Sequence, residues 1–306
     1  MDVFVRLLIN ILEEGLIYGI MAMGLYITYR VLNFPDLSVD GTFPMGCCVT
    51  AVLIANGVNP VLTLLIAFVC GCAVGLVTGL IHVKLHITDL LSGILVMTAL
   101  WSVNLVILGG KSVFPFYNQP TLFNSGLVEL LPELLYKRRV LIMLVIVVAV
   151  IKILLDMFYK TKAGLLLRAA GDNAQFVTAQ AVDPGRMKIL GLMLGNGLTA
   201  VSGSVLAQQA ESANVSSGTG MMVMALASVI IGTALFGRIK FMKATTMVLL
   251  GAIIYKACLV GAMQLGLPTN YLKLLMSVLF IVALIAGNAM DKNKGRKDRN
   301  AKAART

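Results

Sequence analysis

The 306 residues are 58% hydrophobic and only 13% charged, and their mean hydropathy is +0.91. A soluble domain of this length has too little interior to bury so much apolar surface, so these values exclude an ordinary soluble globular protein. The net charge of +11 would suit nucleic-acid binding on a folded surface, but here the basic residues gather between apolar segments and in the C-terminal tail. Anionic membrane lipid is a sufficient partner for charge in these places.

Nine apolar segments follow one another along the chain, most of them long enough to cross a ~30 Å hydrocarbon layer as helix. In chain order they are Leu7–Tyr29, Gly41–Asn56, Val61–Val83, Thr88–Leu108, Val140–Tyr159, Ile189–Gln208, Gly218–Gly237, Thr245–Gln264 and Tyr271–Ala289. Their many small residues favour close helix packing, because lipid gives helices no apolar drive to associate. The sequence therefore predicts an all-α polytopic protein of the cytoplasmic membrane, with about nine transmembrane helices in a range of eight to ten.

The basic residues favour one orientation of these helices. If nine spans alternate, 17 of the 25 Lys and Arg residues fall on one side, five fall on the other and three lie within spans. The positive-inside rule then places the tail inside and the N-terminus outside. The cluster Lys137–Arg139 opposes this orientation, and a tenth crossing or a re-entrant piece within Phe116–Tyr136 would reverse it. We expect a transmembrane domain over residues 1–290, a cytoplasmic loop over residues 160–188 and a basic cytoplasmic tail over residues 291–306.

No residue pattern supports catalysis. The Gly-Lys-Ser sequence at 110–112 resembles the end of a phosphate-binding loop, but the glycine required five residues earlier is replaced by Leu105. His82, His86 and Asp89 would share one face if a helix ran through the turn that holds them, which would allow a metal site; interfacial histidines are the alternative. The five cysteines lie in apolar segments, so we interpret them as small buried hydrophobic residues. We expect no enzyme activity, no cofactor and no metal.

Helix-breaking and acidic residues interrupt the apolar pattern over Arg30–Gly46. Irregular backbone at membrane depth is tolerated only inside protein or beside a wet cavity, and acids there are costly. Two interpretations stay open: a solvated turn in which Asp36 and Asp40 cap helices, or a discontinuous helix beside a transport path. A second break over Asn214–Gly220 precedes the seventh span. Two breaks that enter from opposite sides would suit an inverted repeat.

The most distinctive polar stretch is the loop Lys160–Lys188. A first short helix is predicted to end at Gly171. Asp172 is predicted to cap a second helix, with Gln175 completing a pair similar to a capping box, before Asp183 and the Pro-Gly pair after it end that helix. A short, partly apolar helix between two spans needs a partner surface, and the alternative is that it lies on lipid headgroups.

The same loop carries a family resemblance. Its pattern T-x-A-G-x-x-x-R-A-x-G resembles the cytoplasmic coupling segment of ATP-binding-cassette (ABC) permeases of the branched-chain amino-acid and ribose uptake type. The pattern comprises Thr161, Ala163, Gly164, Arg168, Ala169 and Gly171. The stretches VLNFPDLSVDGTFPMG, LLSGILVMTALWSVNL, LGNGLTAVSGSVLAQ and GMMVMALASVIIGTALFG are similar to the corresponding spans of a subgroup associated with aromatic amino-acid (tryptophan/tyrosine) uptake. The resemblance covers roughly residues 10 to 290.

The resemblance implies the permease subunit of an ABC importer that moves a small solute, an amino acid and in the closest subgroup an aromatic one. It also implies two permease subunits, cytoplasmic ATP-binding subunits that dock on the coupling helices, and an extracytoplasmic substrate-binding protein. Closed two-fold assembly is the commonest symmetry for such complexes, so we expect the second permease subunit to be a second copy of this chain in a homodimer. The alternative is an ion-coupled secondary transporter, in which an acid such as Asp36, Asp40 or Asp89, or the isolated Lys256, would bind the ion.

Two sets of candidate residues follow. The candidates for ATPase coupling lie in the loop and are Gly164, Arg168, Ala169, Gly171, Asp172, Phe176, Val177 and Asp183. The candidates for the translocation path are polar residues in or between the spans and are Asn33, Asp36, Asp40, Thr42, Ser92, Asn104 and Gln208. A permease that releases its ligand gains nothing from tight binding, so the contacts of the second set with solute should be weak.

Overall fold

The computed structural model describes residues 2–126, 128, 138–237, 239, 241–266, 268 and 271–285. Within these residues the helices are α1 (Asp2–Leu25), α2 (Val39–Ala55), α3 (Pro60–Lys84), α4 (Asp89–Ile107), α5 (Arg139–Phe158), α6 (Lys162–Asp172), α7 (Ala174–Ala179), α8 (Pro184–Ala210), α9 (Met221–Phe236), α10 (Ala244–Gln264) and α11 (Leu272–Ile285). A π-helical turn, Tyr26–Val31, continues α1, and a 3₁₀ turn, Val215–Gly218, precedes α9.

The prediction of an all-α polytopic membrane protein is confirmed. Seven helical segments of the described chain are long and apolar enough to cross a membrane, and α2 and α11 are shorter apolar helices. Each of the nine predicted segments coincides with one of these helices. The count of nine crossings stays a prediction, and the tail over residues 291–306 lies outside the described residues.

Helix α8 lies at the centre of the bundle and packs against α1, α2 and α3. A stripe of glycines on α3 makes this packing close. A Cβ atom at Gly75 would lie 2.6 Å from the Cα of Met193, and one at Gly71 would lie 2.8 Å from the Cα of Gly197. The small-residue stripe therefore serves close helix contact, as the sequence predicted.

The connection from α1 to α2 is irregular because its sequence resists helix. Asn33 adopts a left-handed conformation with φ of 54°, and α2 begins only at Val39. Pro44 lies inside α2, where it has no N–H to donate to the carbonyl four residues earlier. We call residues 32–38 the broken segment. Most of its residues are buried within the chain, so it is no solvated turn.

Two short strands, β1 (Val113–Pro115) and β2 (Ser212–Asn214), form an antiparallel pair in which Val113 lies opposite Asn214. They join the loop after α4 to the connection between α8 and α9. The sequence did not predict this pair. The neighbouring stretch Phe116–Ser125 forms turns, whereas the rest of the stretch proposed for a tenth crossing lies mostly outside the described residues.

Candidate coupling and translocation site

A buried hydrogen-bond network ties the broken segment to α8. The Asp36 carboxylate is fully buried, and its Oδ1 accepts from the Ser38 backbone N–H at 2.9 Å and from Ser38 Oγ at 2.6 Å. Its Oδ2 accepts from Asn196 Nδ2 at 2.7 Å. The Thr42 hydroxyl donates to Asn196 Oδ1 at 2.7 Å. A buried acid is tolerated when donors satisfy its oxygens, and here donors reach both of them.

The second acid, Asp40, caps the start of α9. Its Oδ1 accepts from the Met222 backbone N–H at 2.7 Å, and its Oδ2 accepts from the Gly220 N–H at 3.0 Å. These N–H groups belong to the first turn, which has no intrahelical acceptors and carries the positive end of the helix dipole. Asp40 itself is the second residue of α2. The starts of two short apolar helices therefore meet at this carboxylate.

The remaining predicted path residues in α4 and α8 form hydrogen bonds with neither Asp36 nor Asp40, and among them only Asn104 bonds to a residue next to these acids. Asn104 Nδ2 donates to the Gly41 carbonyl at 3.1 Å, which joins α4 to α2. The Ser92 hydroxyl donates to the Asp89 carbonyl within α4. Gln208 accepts from the Leu122 N–H at 3.0 Å and so fastens the loop after α4. Their part in a translocation path stays a prediction.

Two members of the network, Ser38 and Asn196, were missed by the sequence analysis. Asn196 both donates to Asp36 and accepts from Thr42, so it holds the centre of the network. The sequence does indicate a role for Asn196, because an amide in the middle of an apolar span is energetically unfavourable unless it has hydrogen-bond partners. The glycines on either side of Asn196 favour an interpretation as close helix packing instead.

The loop Lys160–Lys188, which we call the coupling loop after its predicted role, folds as two short helices, as predicted. The residues that cap these helices differ from the prediction. Helix α6 continues through Gly171 to Asp172, and the cap of α7 is Asn173, whose Oδ1 accepts from the Gln175 and Phe176 N–H groups. The predicted cap at Asp172 is therefore wrong. Both residue types suit the position, and the extended backbone at Asn173, with φ of −153° and ψ of 100°, decides between them.

Other predicted coupling residues take distinct positions in this loop. Gly164 N–H donates to the cap Thr161 at 3.2 Å, and Asp183 caps the next helix, α8, through the Gly185 N–H at 2.8 Å. The Val177 side chain is buried, whereas Phe176 is 54% exposed. Ala169 is half-buried.

A direct contact joins this loop to the broken segment. Asn33 Nδ2 donates to the Gly171 carbonyl at 3.2 Å, across 138 residues of sequence. Gly171 lies so close to the π-helical turn that an added Cβ would clash with the Val31 carbonyl and would lie 3.2 Å from the Leu32 Cα. Helix α6 and the start of the broken segment are therefore in direct contact.

The proposed His82 metal site is not formed. Helix α3 ends at Lys84, and His86 adopts a left-handed conformation with φ of 54°, so the turn breaks the face that would have aligned the ligands. His82 instead contacts the Ile87 carbonyl and Lys188 Nζ, and no metal-binding cluster of three His, Cys, Asp or Glu side chains occurs within the described ranges.

Two further expectations change in detail. Lys256 forms an ion pair with Glu14 on α1, so the isolated charge has a partner. Cys47 and Cys48 are buried, as predicted, whereas Cys70 and Cys72 are only half-buried. Cys258 is exposed on α10, so the interpretation of all five cysteines as buried was wrong for Cys258.

Most of the chain matches one family of transport proteins. The model of the family described as the branched-chain amino acid transport system permease component matches residues 7–284. The chain belongs to this family. It is accordingly a multi-pass membrane permease of an ABC transport system, and the resemblance carried by the coupling loop is confirmed.

Among curated relatives, the tyrosine transport system permease protein of Clostridioides difficile is 42% identical, over 96% of this chain and 95% of that protein. The ribose import permease protein RbsC of Escherichia coli is 26% identical, over 92% of this chain and 85% of its own length. The probable branched-chain amino acid transport permease protein LivH of Methanocaldococcus jannaschii is 27% identical, over 64% of this chain. No solved structure matches the chain.

Proposed function

We propose that this permease imports an amino acid of the aromatic class, driven by separate ATP-binding subunits that dock on the coupling loop. An extracytoplasmic binding protein delivers the solute, and two copies of the permease form the translocation path. The aromatic class rests on the relative that is 42% identical and carries the name of a tyrosine transport permease. The chain itself performs no hydrolysis in this scheme.

The observation that carries the proposal is the contact between the coupling loop and the broken segment. The Gly171 carbonyl accepts from Asn33, and the backbone of Gly171 lies against the Val31 carbonyl. A push on α6 by an ATP-binding subunit would therefore reach the broken segment without an intervening side chain. Tightly packed backbone transmits displacement because it has no room to absorb it.

From the broken segment the displacement has a continuous route into the bundle. Asp36 and Asn196 link the segment to α8, and Asp40 links the start of α2 to the start of α9. A change at the loop would shift the population between outward-open and inward-open forms by moving these helix starts against α8. In this mechanism the acids position helices and do not bind an ion.

The test is uptake into vesicles that contain the purified permease together with its ATP-binding subunit and its substrate-binding protein. We expect ATP-dependent uptake of labelled tyrosine or tryptophan that exceeds uptake of leucine and ribose. ATP-dependent uptake of leucine or ribose alone would refute the aromatic class and keep the ATP-driven mechanism. Uptake by the permease alone along a proton or sodium gradient would favour the secondary transporter and refute the proposal.

A further inference from the structure

A cavity of about 610 Å³ opens beside the coupling loop, outside the contacts described above. Its wall comes from the π-helical turn, the end of α5, helix α6 and the start of α10. The lining side chains with charge are Arg30, Asp156, Lys160, Arg168, Asp172 and Lys243. Four of these are basic and two are acidic, which leaves a surplus of two positive charges.

The acid deepest in this wall is already neutralised. Asp156 forms ion pairs with Lys152 at 3.3 Å and with Lys243 at 3.0 Å, and its Oδ1 accepts from the Thr245 hydroxyl at 2.7 Å. In contrast, the cations Arg30, Lys160 and Arg168 and the acid Asp172 form no ion pair with any residue that the structure describes. All four are exposed at the cavity. Three unpaired cations against one unpaired acid leave the net unpaired charge of the cavity positive.

A buried hydroxyl group gives a second, independent indication of a ligand. Tyr159 lines the cavity with only 5% of its surface exposed, and its hydroxyl has no hydrogen-bond partner within the described part of the chain. A buried polar group without a partner destabilises a folded protein, so such groups are rare unless a ligand or water satisfies them. The Arg168 guanidinium lies over the same ring, 4.4 Å from its centroid.

We propose that this cavity binds a phosphate group, with Arg30 and Lys160 as ion partners and the Tyr159 hydroxyl as a hydrogen-bond donor. A phosphate anion has oxygens enough for an arginine, a lysine and a hydroxyl at once. The occupant of this site is not the transported solute, although two of the lining residues, Arg168 and Asp172, are also candidates for ATPase coupling.

The position of the cavity indicates a phospholipid headgroup as the source of the phosphate. Helix α5 ends at Phe158 and α10 begins at Ala244, so the cavity lies where two spanning helices meet the membrane surface. Apolar side chains, Met242 and Met247 among them, line it together with the cations. A mixed lining at this level suits the glycerol and phosphate of an anionic lipid, which basic residues at a membrane surface attract.

The test compares two double variants that each remove one arginine and one lysine. Arg30→Gln with Lys160→Gln removes the two cations proposed as partners of the phosphate, whereas Lys162→Gln with Arg186→Gln removes two exposed cations that do not line the cavity. The fraction of purified permease that carries one phosphatidylglycerol is measured by native mass spectrometry. We expect binding about tenfold weaker in the cavity variant, since two basic contacts to an anionic headgroup are lost, and unchanged in the control.

Three further variants and probes complete the test. Tyr159→Phe should weaken the same binding, and Arg30→Lys with Lys160→Arg should retain it, which separates lost charge from misfolding. If inorganic phosphate at constant ionic strength raises the melting temperature of the wild type but not of the cavity variant, while phosphatidylglycerol binding is insensitive, the phosphate site stands with a soluble source. Equal loss in both double variants, or no loss in the cavity variant with either probe, overturns the proposal. The proposal is also overturned if the cavity variant loses copurification with the ATP-binding subunit but still binds phosphatidylglycerol, because the cations would then bind that subunit.

Discussion

At the scale of single residues, the permease depends on Asn196 because this one amide serves the broken segment and α2 together. Its Nδ2 donates to Asp36, and its Oδ1 accepts from Thr42. A neutral amide beside a buried carboxylate supplies a donor without adding a second charge. The network is therefore satisfied without an ion pair, in a place where unpaired charge is costly.

We predict that Asn196→Leu destabilises the permease by about 2 kcal/mol, because it leaves Asp36 Oδ2 buried without a donor. The measurement is the apparent melting temperature in detergent, monitored through the loss of monodisperse protein on heating. Asn56→Leu is the matched control, since Asn56 is exposed at the end of α2 and should tolerate the change. Adding Asp36→Leu to Asn196→Leu should recover part of the loss, and a double variant at the sum of both single losses would contradict the coupling.

A second residue prediction concerns Gly171, where the coupling loop contacts the π-helical turn. Gly171→Ala places a Cβ against the Val31 carbonyl, so α6 and the turn must separate. We expect uptake to fall at least about tenfold while the protein still reaches the membrane, since a contact that must transmit motion is lost. Gly261→Ala on α10 is the control, because nothing lies within 4 Å of the added atom. Wild-type uptake by Gly171→Ala would exclude this contact as the route of coupling.

At the scale of elements, α7 presents an apolar side chain in the polar coupling loop. Phe176 is 54% exposed, while its neighbour Val177 is buried and anchors the helix. An exposed phenylalanine beside a buried anchor suits a docking surface on a partner protein.

We predict that Phe176→Asp weakens association with the ATP-binding subunit by about 2 kcal/mol or more, because a charge would be buried at the contact. Thr178→Asp adds the same charge to an exposed position on a different side of α7 and should leave association unchanged. The measurements are copurification and substrate-stimulated ATP hydrolysis. The docking assignment fails if Phe176→Asp matches Thr178→Asp in both.

The start of α9 gives another element prediction. Asp40→Asn keeps the shape of the cap but removes its charge and one acceptor, so one of the two N–H groups of Gly220 and Met222 loses its partner. We expect a loss of about 1 kcal/mol in stability, from the weaker cap and the lost attraction to the helix dipole. Asp89→Asn, at the half-buried first residue of α4, controls for removal of an acid. A melting temperature equal to that of the wild type would show that the cap is dispensable.

The sequence predicted the helices of this permease well and their junctions poorly, for a physical reason. Long apolar runs predict helices because every backbone N–H and C=O group must be hydrogen-bonded within lipid. Short loop helices are predicted from cap residues that lie close to them in the sequence. The hydrogen bond between Asp40 and Gly220 joins residues that are 180 positions apart in the sequence. Neither local propensity nor hydropathy predicts a contact between residues so far apart. Asn173 replaced Asp172 as the cap because the two neighbours are equally good caps and only the backbone distinguishes them.

At the scale of the whole molecule, the burial of the broken segment refines where a path between two subunits could run. Asp36 and Thr42 are fully buried within one chain. They can therefore lie behind the wall of such a path, but they do not form its surface. A hollow of about 190 Å³ lies nearer the surface, between the start of α9 and α11. Thr219, Gly220 and Lys273 are among its lining residues, and Gly220 is the residue that Asp40 caps. The hollow is therefore the accessible side of the junction.

We predict that cysteines placed at Thr219 crosslink the two subunits of the assembled permease, because a path along a two-fold interface brings the same residue of each copy together. The exposed Cys258 and the half-buried Cys70 and Cys72 are first replaced by serine so that they form no links of their own. Val69→Cys on α3, which is 65% exposed, is the control for contact through lipid alone. Covalent dimer should form at position 219 on mild oxidation and should be diminished by the transported amino acid, which would occupy the space between the two thiols. If position 69 links and position 219 does not, the interface lies on the α3 side and the path beside α9 must be abandoned.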